Sequence, residues 1–337
     1  MIYQDIERIC KNPLASAFIF TYNQECLVQE TIESILSQKC NFEYEIVICE
    51  DCGTDNTLDV CLKYQKEYPQ LIRVIHNDKN LGLRANFFEN ITTYARGKYV
   101  AVCAGDDWWC DEEKLQKQVG FLEQHSDYGM VHTLASVYID KEKRMRENTI
   151  GSPKNTFFDN ILNNHVAALT MCFSKVSFDE YINEINPVEL PYSEDYPMVL
   201  WYSYRSKIHF LNEVTCVYRL LENSVSHSTN LEKIYKGPLD FYTCGQYFIK
   251  LFGVEDELLM RLSTFKYYRD RMRWAFLLND KVNIRKGEAF FGDYKYYSFW
   301  LLSKLYGLSG SNVKLNRIIF FIERVIRRFH PTRKYFI

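Results

Sequence analysis

Short apolar runs alternate with amphipathic helical patterns through the first third of the chain. The runs are rich in β-branched and aromatic residues, and they predict strands over residues 14–20, 44–49, 71–75 and 99–103. Short continuous runs of this composition are typical of buried strands in a parallel sheet. Between the first two runs, apolar residues from Leu27 to Leu36 recur at helical spacing. Strands that alternate with helices indicate an α/β domain with a mainly parallel sheet.

Polar residues that can bind a ligand follow three of these strands. Tyr22 and Asn23 come after the first strand, and Asp51 comes after the second. Asp106 and Asp107 come after the last. Because ligands of open α/β sheets bind beyond the carboxyl ends of the strands, we expect a binding site at this edge of the sheet.

The adjacent carboxylates of Asp106 and Asp107 are the strongest candidate for a metal site. Two neighbouring carboxylates repel each other unless a cation or a hydrogen-bond donor accepts them. Carboxylate oxygens suit Mg2+ or Mn2+, which commonly bridge one or two carboxylates and a substrate diphosphate. The pattern also allows a second interpretation, a polar loop whose first acid caps a helix that starts near Asp111.

A second acid pair, Glu194 and Asp195, stands later in the chain. Ser193 can cap a helix there, which places both carboxylates at a helix N-terminus, where the dipole stabilises their ionised forms. Capping acids without any further function would give the same pattern. Elsewhere in this part of the chain, apolar runs predict strands over 129–139 and 166–173 and near Ile208 and Val214, and a polar stretch predicts a surface loop over 140–156.

Composition and charge narrow the classes of protein. The chain has 337 residues, enough for one large domain or for one domain with an appendage. A formal net charge of −2 gives no general case for binding nucleic acid. The 11 cysteines are scattered and form no Cys/His cluster at zinc spacing, which favours a reducing cytoplasm over a disulfide framework. The N-terminus lacks the apolar core of a signal peptide, and no apolar run reaches transmembrane length, so we expect a cytoplasmic protein.

Two common nucleotide-binding motifs are missing from the sequence. A Rossmann dinucleotide site needs G-x-G-x-x-G after the first strand, and the residues there are Thr21-Tyr-Asn-Gln-Glu25. No G-x-x-x-x-G-K-[ST] is present either, which excludes a P-loop. A ligand at the sheet edge must therefore be held by other groups.

Six short motifs in a fixed order closely resemble bacterial family-2 glycosyltransferases. They are TYNQE at 21–25, EDCGTDNT at 50–57, NLGLR at 80–84, GDD at 105–107, SED at 193–195, and YR at 218–219 with SH at 226–227. The resemblance covers about residues 13–228. It implies the GT-A fold of nucleotide-diphospho-sugar transferases, with a Rossmann-like, mainly parallel sheet in residues 1–228. A mostly helical C-terminal extension would then occupy residues 229–337.

The resemblance also implies roles for individual residues. Asp195 matches the catalytic base, and Asp107 matches the acid that binds the metal bridging the diphosphate. Arg219 and His227 fall in a C-terminal loop that closes over the diphosphate. Residues expected to bind the donor nucleotide are Thr21, Tyr22, Asn23, Glu25, Asp51, Arg84 and Asp106.

These residue types suit an inverting sugar transfer. Inversion needs a carboxylate that removes the proton of the acceptor hydroxyl as it attacks, and a divalent cation that neutralises the leaving diphosphate. The processive members' Q-x-x-R-W motif is missing after Asp195, which favours transfer of a single sugar. We therefore expect a metal-dependent transferase that uses a nucleotide-diphospho-sugar, with UDP as the expected nucleotide. Its acceptor would be a saccharide or a lipid-linked saccharide in surface polysaccharide synthesis.

Two other functions compete with this one. A sugar nucleotidyltransferase can share a similar sheet, but its Gly-rich phosphate loop should follow the first strand, where TYNQE stands. A non-catalytic scaffold or nucleotide-sugar-binding protein would be signalled by a damaged acid site. All four key aspartates are intact, namely Asp51, Asp106, Asp107 and Asp195.

The C-terminal residues carry an amphipathic pattern of their own. Spacing of i, i+3, i+4, i+7 links the apolar residues Leu315, Ile318, Ile319, Ile322, Val325, Ile326 and Phe329. Most basic residues lie off this stripe, which suits an anionic membrane surface and predicts a peripheral position on the cytoplasmic face of the inner membrane. Alternatively, the helix packs its apolar stripe on the domain and leaves a solvated basic face. Nucleic acid is a poorer candidate, because no aromatic and basic binding fold is evident.

Overall fold

A computed structural model describes residues 1–190, 193–222, 231–294, 296–309 and 312–335. The contacts divide the chain into two compact units. The first comprises residues 1–160 and 164–224, and the second comprises residues 161–163 and 225–337. The predicted boundary after residue 228 lies outside the described residues.

The first unit is built on one mixed sheet. Its strands in the described residues are β1 (Ile2–Tyr3), β2 (Ala15–Thr21), β3 (Tyr44–Glu50), β4 (Ile72–His76), β5 (Tyr99–Ala104), β6 (Trp108–Trp109), β7 (Tyr128–Ile139), β8 (Arg144–Met145), β9 (Cys172–Ser174) and β10 (Lys207–Leu220). They run in the order β1-β4-β3-β2-β5-β9-β7-β10-β6, with β8 paired to β7. Strands β4, β3, β2 and β5 are parallel, which confirms the predicted α/β class.

Helices cover the sheet and bury their apolar faces against it. They are α1 (Val28–Leu36), α2 (Thr57–Glu67), α3 (Leu83–Tyr94), α4 (Lys114–Gln124), α6 (Lys175–Ile185) and α7 (Asp195–Arg205). Helix α5 (Phe157–Leu162) begins in the first unit, and its last two residues belong to the second. Helix α1 illustrates the rule, because its buried residues Val28, Ile32 and Ile35 follow the helical repeat. The strands between them are buried almost throughout, as expected for a parallel sheet covered by helices.

The register of the central strands fixes where the polar strand ends lie. Thr21 pairs with Glu50, and Phe20 pairs with Ala104. The residues after β2, β3 and β5 therefore leave the sheet at the same edge. This arrangement confirms the shared edge that the sequence predicts.

Two details differ from the predicted elements. The apolar run 166–173 is mostly a 3-10 turn and irregular chain, and only its end belongs to β9. Ile208 and Val214 belong to the single strand β10, which keeps its parallel pairing with β7 through register shifts between Phe210 and Cys216. Most apolar residues in both places are buried or half-buried, although Val214 is exposed, and burial alone does not decide between one strand, two strands and a turn.

The capping interpretation of the first acid pair is wrong. Helix α4 starts at Lys114 with Glu113 at its N-cap, and the short strand β6 separates that helix from Asp106 and Asp107. The acids therefore stand at the end of β5 with no helix N-terminus to cap.

The second unit is helical in its described residues, as predicted for the C-terminal extension. Its helices are α8 (Leu231–Leu251), α9 (Glu257–Leu277), α10 (Lys281–Asp293), α11 (Tyr297–Ser309) and α12 (Val313–Phe329), followed by a 3-10 helix over Pro331–Tyr335. Aromatic residues such as Phe265, Phe291 and Phe299 form its core. Within the described ranges, each helix is too short or too polar to cross a membrane.

Candidate functional site

Asp51 fixes one side of the sheet edge. It follows β3 and is buried, and its two carboxylate oxygens accept hydrogen bonds from the backbone N–H groups of Leu81 and Gly82, each at 2.9 Å. The Asn77 amide donates a third bond to it at 2.8 Å. Gly82 has a φ of 77°, a left-handed conformation that glycine adopts without strain. Asp51 therefore holds the 80–82 turn beside the strand end.

Hydrogen bonds of its own polar side chains fix the segment that follows β2. Buried Thr21 donates from its hydroxyl to the Gln24 side-chain oxygen at 2.8 Å. Asn23 has a φ of 51°, and its side-chain oxygen accepts a bond from the Thr54 backbone N–H at 2.7 Å. These contacts lock the strand end against the turn that precedes α2.

Glu25 and Tyr22 have opposite environments in the same segment. A Glu25 carboxylate oxygen accepts bonds from the Asn56 backbone N–H at 2.9 Å and from the Asn56 side chain at 2.8 Å. Tyr22 is 45% exposed. Asn23 is exposed as well, but its side-chain oxygen accepts the Thr54 N–H, whereas the ring of Tyr22 offers a surface on which a nucleotide base could stack.

The pair Asp106 and Asp107 lies at the end of β5 and is tied to β10. A buried Asp107 carboxylate oxygen accepts the Arg219 backbone N–H at 2.8 Å. The Asp106 backbone carbonyl accepts a bond from Arg219 Nε, also at 2.8 Å. Thr31 on α1 donates its hydroxyl to the Asp107 carbonyl at 2.6 Å. The acid pair is thus positioned by three different elements of the first unit.

Burial and mutual repulsion oppose ionisation of this pair. Burial raises the pKa of Asp107 well above its usual range, and the neighbouring charge of Asp106 raises it further. Burial also raises the pKa of Asp106, although the Arg219 charge and a hydrogen bond from Gln24 act in the opposite direction. The positive charge of Arg219 therefore does not offset the burial and repulsion that disfavour the two carboxylates.

A divalent cation fits this chemistry. Two carboxylates whose ionised forms are disfavoured are the groups that a bound Mg2+ or Mn2+ would stabilise. In the described part of the chain, no group of three or more His, Cys, Asp or Glu side chains converges as a complete protein cage. Mg2+ does not need such a cage, because it usually keeps waters and takes substrate phosphates beside one or two carboxylates.

Arg219 is buried beside the acid pair and is already committed to protein contacts. Its guanidinium lies 4.7 Å from the Trp108 ring and 5.5 Å from the Tyr138 ring. It pairs with Asp140 at 3.3 Å and with Glu30 on α1. The predicted diphosphate residue therefore serves in this structure as a counter-ion and a clamp between β10 and α1. Its predicted partner in the loop, His227, lies outside the described residues.

Asp195 is held at the first position of α7. One carboxylate oxygen accepts the Tyr196 backbone N–H at 2.8 Å, and the other accepts a bond from the Asn164 amide at 3.4 Å. Burial raises the pKa of Asp195, and hydrogen bonds from Ser193, Tyr196 and Asn164 oppose that increase. A carboxylate with a raised pKa and a fixed orientation has the properties of a general base.

Glu194 is a further group at this position, and the sequence gives it no role beyond capping. Burial raises the pKa of Glu194 to about 7, the adjacent Asp195 raises it too, and Arg84 lowers it. The charge of Arg84, at the start of α3, therefore acts on the acid pair at the start of α7. That proximity links the predicted nucleotide residue to the predicted base.

Several residues that position these groups are missing from the sequence predictions. Asn77 and Asn164 orient Asp51 and Asp195, but each is far in sequence from the acid that it contacts. Gln24 belongs to the TYNQE motif, and its contact with Asp106 was not expected. Of these three residues, only Gln24 could have been found from the sequence, because it lies inside a motif that was assigned to the site.

Comparison with known proteins places the fold in a family. The model of the family described as Glycosyl transferase family 2 matches residues 16–182 of this chain. An uncharacterized protein of Mycobacterium tuberculosis is 29% identical over 216 residues, which are 63% of this chain and 60% of that protein. The chain thus spans about 60% of the length of this mycobacterial relative.

Two further proteins carry informative names. The Escherichia coli UDP-Glc:alpha-D-GlcNAc-diphosphoundecaprenol beta-1,3-glucosyltransferase WfaP is 26% identical over 217 residues, covering 63% of this chain and 80% of WfaP. The crystal structure of Staphylococcus aureus TarS 1-349 with UDP-GlcNAc superposes with a TM-score of 0.59 at 16% identity, covering 93% of this chain and 91% of that one. The chain belongs to glycosyltransferase family 2, and its first unit has the GT-A fold of these transferases.

Proposed function

We propose that this protein is an inverting glycosyltransferase that moves one sugar from a nucleotide-diphospho-sugar to a saccharide or a lipid-linked saccharide. UDP is the expected nucleotide, and surface polysaccharide synthesis is the expected setting. The observation that carries the proposal is the pairing of two acid sites in one unit. Half-buried Asp106 and buried Asp107 form a pair of carboxylates at the sheet edge, while Asp195 is separately fixed at a helix N-terminus.

Each acid site has one task in this reaction. Asp195 accepts the proton of the acceptor hydroxyl, since its raised pKa makes it a better base than an ordinary aspartate. Asp106 and Asp107 would hold Mg2+ or Mn2+, which when bound supplies positive charge for the leaving diphosphate. Arg219 adds a second positive charge beside the same pair.

The donor and acceptor classes rest on the relatives. The name of WfaP gives UDP-Glc as its donor and a diphosphoundecaprenol-linked sugar as its acceptor, and TarS 1-349 was crystallised with UDP-GlcNAc. Both names support a UDP-sugar donor for this chain, and that of WfaP supports a lipid-linked acceptor. Exposed Tyr22 at the sheet edge supports a donor with a stackable base.

Calorimetric titration with UDP, GDP and dTDP, with and without Mn2+, tests the donor site. We expect UDP to bind most tightly, with at least about a tenfold gain from Mn2+ that disappears in Asp107→Asn. Asparagine keeps an oxygen to accept the Arg219 N–H, so this variant removes the charge and preserves the contact. Preference for GDP or dTDP would change the donor class, and failure to bind any nucleotide would favour a scaffold protein.

Asp195→Asn tests the mechanism. Turnover of a UDP-sugar with a lipid-linked or soluble saccharide acceptor should fall by about 10²- to 10⁴-fold, because a general base contributes that much. UDP affinity should stay unchanged, since the base acts on the acceptor. Normal turnover in this variant would remove Asp195 from the reaction.

A further inference from the structure

Helix α12 packs against the second unit with a largely polar face. Asn316, Ile319 and Glu323 are buried on that side. The Arg273 guanidinium donates to the Asn316 side-chain oxygen at 2.9 Å, and the Tyr306 hydroxyl donates to the Glu323 carboxylate. The helix is therefore attached through hydrogen bonds as well as through apolar packing.

A second set of bonds fixes the rotation of this helix. Arg327 donates to Glu323 at 2.6 Å and pairs with Asp270 on α9 at 3.3 Å. The Arg273 guanidinium also lies 4.1 Å from the Phe320 ring. Turning α12 about its axis to bury its other face would break its bonds to Arg273 and Tyr306 and its ion pair with Asp270. The buried Tyr306 hydroxyl would lose its Glu323 acceptor, which costs free energy.

The opposite face of α12 is apolar and exposed. Ile318 is 59% exposed, Phe321 68% and Phe329 79%. Leu315, Ile322 and Val325 are exposed on the same side. Of the seven residues in the predicted stripe, only Ile319 and Ile326 face inward. The helix packs on its unit and leaves its basic residues solvated, as the alternative interpretation expects, but the polar network holds most of the apolar stripe outward.

A basic strip runs beside the exposed apolar face. At 100° per residue, Arg317, Arg324 and Arg328 fall on one side of it. Lys314 falls at the same edge, between Phe321 and Val325, and all four basic residues are exposed. Glu323, the single acid of the helix, faces inward. Large contiguous apolar surfaces are rare on soluble monomers, and a basic strip beside one is typical of helices that lie in an anionic membrane surface.

We propose that α12 docks this protein on an anionic lipid bilayer. Ile318, Phe321 and Phe329 would enter the boundary between head groups and acyl chains, while the basic strip contacts lipid phosphates. Helix α11 packs against α12 and also leaves Leu301 and Leu308 exposed. The inference is independent of the proposed catalysis, because it depends only on contacts within the second unit.

Vesicle flotation of the full chain tests the proposal. Wild-type protein should float with vesicles of phosphatidylcholine mixed with phosphatidylglycerol, and much less with phosphatidylcholine alone. The double variants Ile318→Ser/Phe321→Ser and Arg317→Gln/Arg324→Gln should each weaken binding by about tenfold or more, because each removes two contacts of one kind. Val282→Ser on α10 is a matched control, since Val282 is also exposed at 61% and lies outside the proposed surface.

Three outcomes would overturn the proposal. The first is that the wild type does not float with anionic vesicles, and the second is that both double variants bind these vesicles as well as the control does. The third outcome is a wild-type dimer by light scattering that Ile318→Ser/Phe321→Ser converts to a monomer without any vesicle binding, which would make this face a contact between two copies. Unchanged thermal unfolding of the variants would show that the exposed substitutions leave the fold intact.

Discussion

At the scale of single residues, Glu194 and Asp195 control each other's ionisation. Both are half-buried at the start of α7, and both pKa values are raised, that of Glu194 to about 7. Such a pair loses its protons in coupled steps, so the state of one depends on the other. The pH dependence of the proposed base is therefore a property of both residues.

Replacing Glu194 by Gln should shift the acid side of the pH profile. A base with a raised pKa loses activity as pH falls, and it does so at a higher pH than an ordinary aspartate. Removing the neighbouring negative charge makes ionisation of Asp195 easier, so kcat/KM of Glu194→Gln should persist to lower pH than in the wild type. Glu180→Gln, at an exposed position on α6, is the control and should leave the profile in place. An unshifted profile in both would contradict the coupling.

The sequence predicted the acids of this site better than their surroundings. Asp106, Asp107 and Asp195 stood in recognisable motifs, and the structure brings the first two to the predicted sheet edge. Their partners could not be predicted in the same way. Asn164 and Arg219 contact the acids from distant segments, and no local pattern in one sequence encodes a contact across the fold.

At the scale of elements, the site depends on how closely β2 and β5 meet at their carboxyl ends. A Cβ atom on Gly105 would lie 2.5 Å from the Gln24 side-chain oxygen and 2.8 Å from Thr21 Cβ. The Gly105 N–H donates to the Phe20 carbonyl at 2.8 Å, which holds the two strand ends together. Glycine is needed here because the neighbouring strand end occupies the space of a side chain.

Gly105→Ala should therefore separate the strand ends and move the acid pair. We expect a loss of stability of about 1–3 kcal/mol and weaker Mn2+-dependent UDP binding. Gly120→Ala on α4 is the matched control, since the nearest atom to its new Cβ would be 3.8 Å away. That control should gain up to about 1 kcal/mol by helix propensity and bind UDP normally. Chemical denaturation and calorimetry measure both effects, and equal behaviour of the two variants would disprove the packing argument.

The sequence predicted helices and strands correctly where the spacing of apolar residues matches the residues that the element buries. The four central strands and α1 lie within one or two residues of their predicted positions. It failed for 166–173, where buried apolar residues form a turn. A glycine shortly after a helical pattern is typical of a helix C-cap, which makes Gly97 a candidate to close α3. That helix ends at Tyr94, and a Cβ on Gly97 would lie 2.6 Å from the Ala15 backbone, so this glycine allows close chain packing instead.

At the scale of the whole molecule, each unit has its own apolar core. The first is centred on the sheet, and the second on aromatic residues from α9, α10 and α11. Phe265 is fully buried in the second core, with its ring 5.0 Å from that of Phe299. The predicted catalytic residues in the described ranges all belong to the first unit.

Phe265→Ala should destabilise the second unit by about 3–5 kcal/mol without lowering UDP affinity. Calorimetric unfolding and UDP titration at a temperature below the transition measure the two quantities. Phe18→Ala is the matched control, because Phe18 is equally buried but lies on β2 of the first unit. It should reduce the fraction of protein able to bind UDP. Loss of UDP binding in Phe265→Ala would mean that the donor site requires an intact second unit.

The contact between Trp108 and Arg219 gives this protein an optical reporter. The indole lies against the Arg219 guanidinium, which also donates to the Asp106 carbonyl, so the indole emission responds to the local electric field. A cation or a diphosphate arriving at Asp106 and Asp107 would change that field within a few ångströms of the ring. Intrinsic fluorescence, with Trp108→Phe as the blank, can therefore follow ligand arrival in real time without any attached dye.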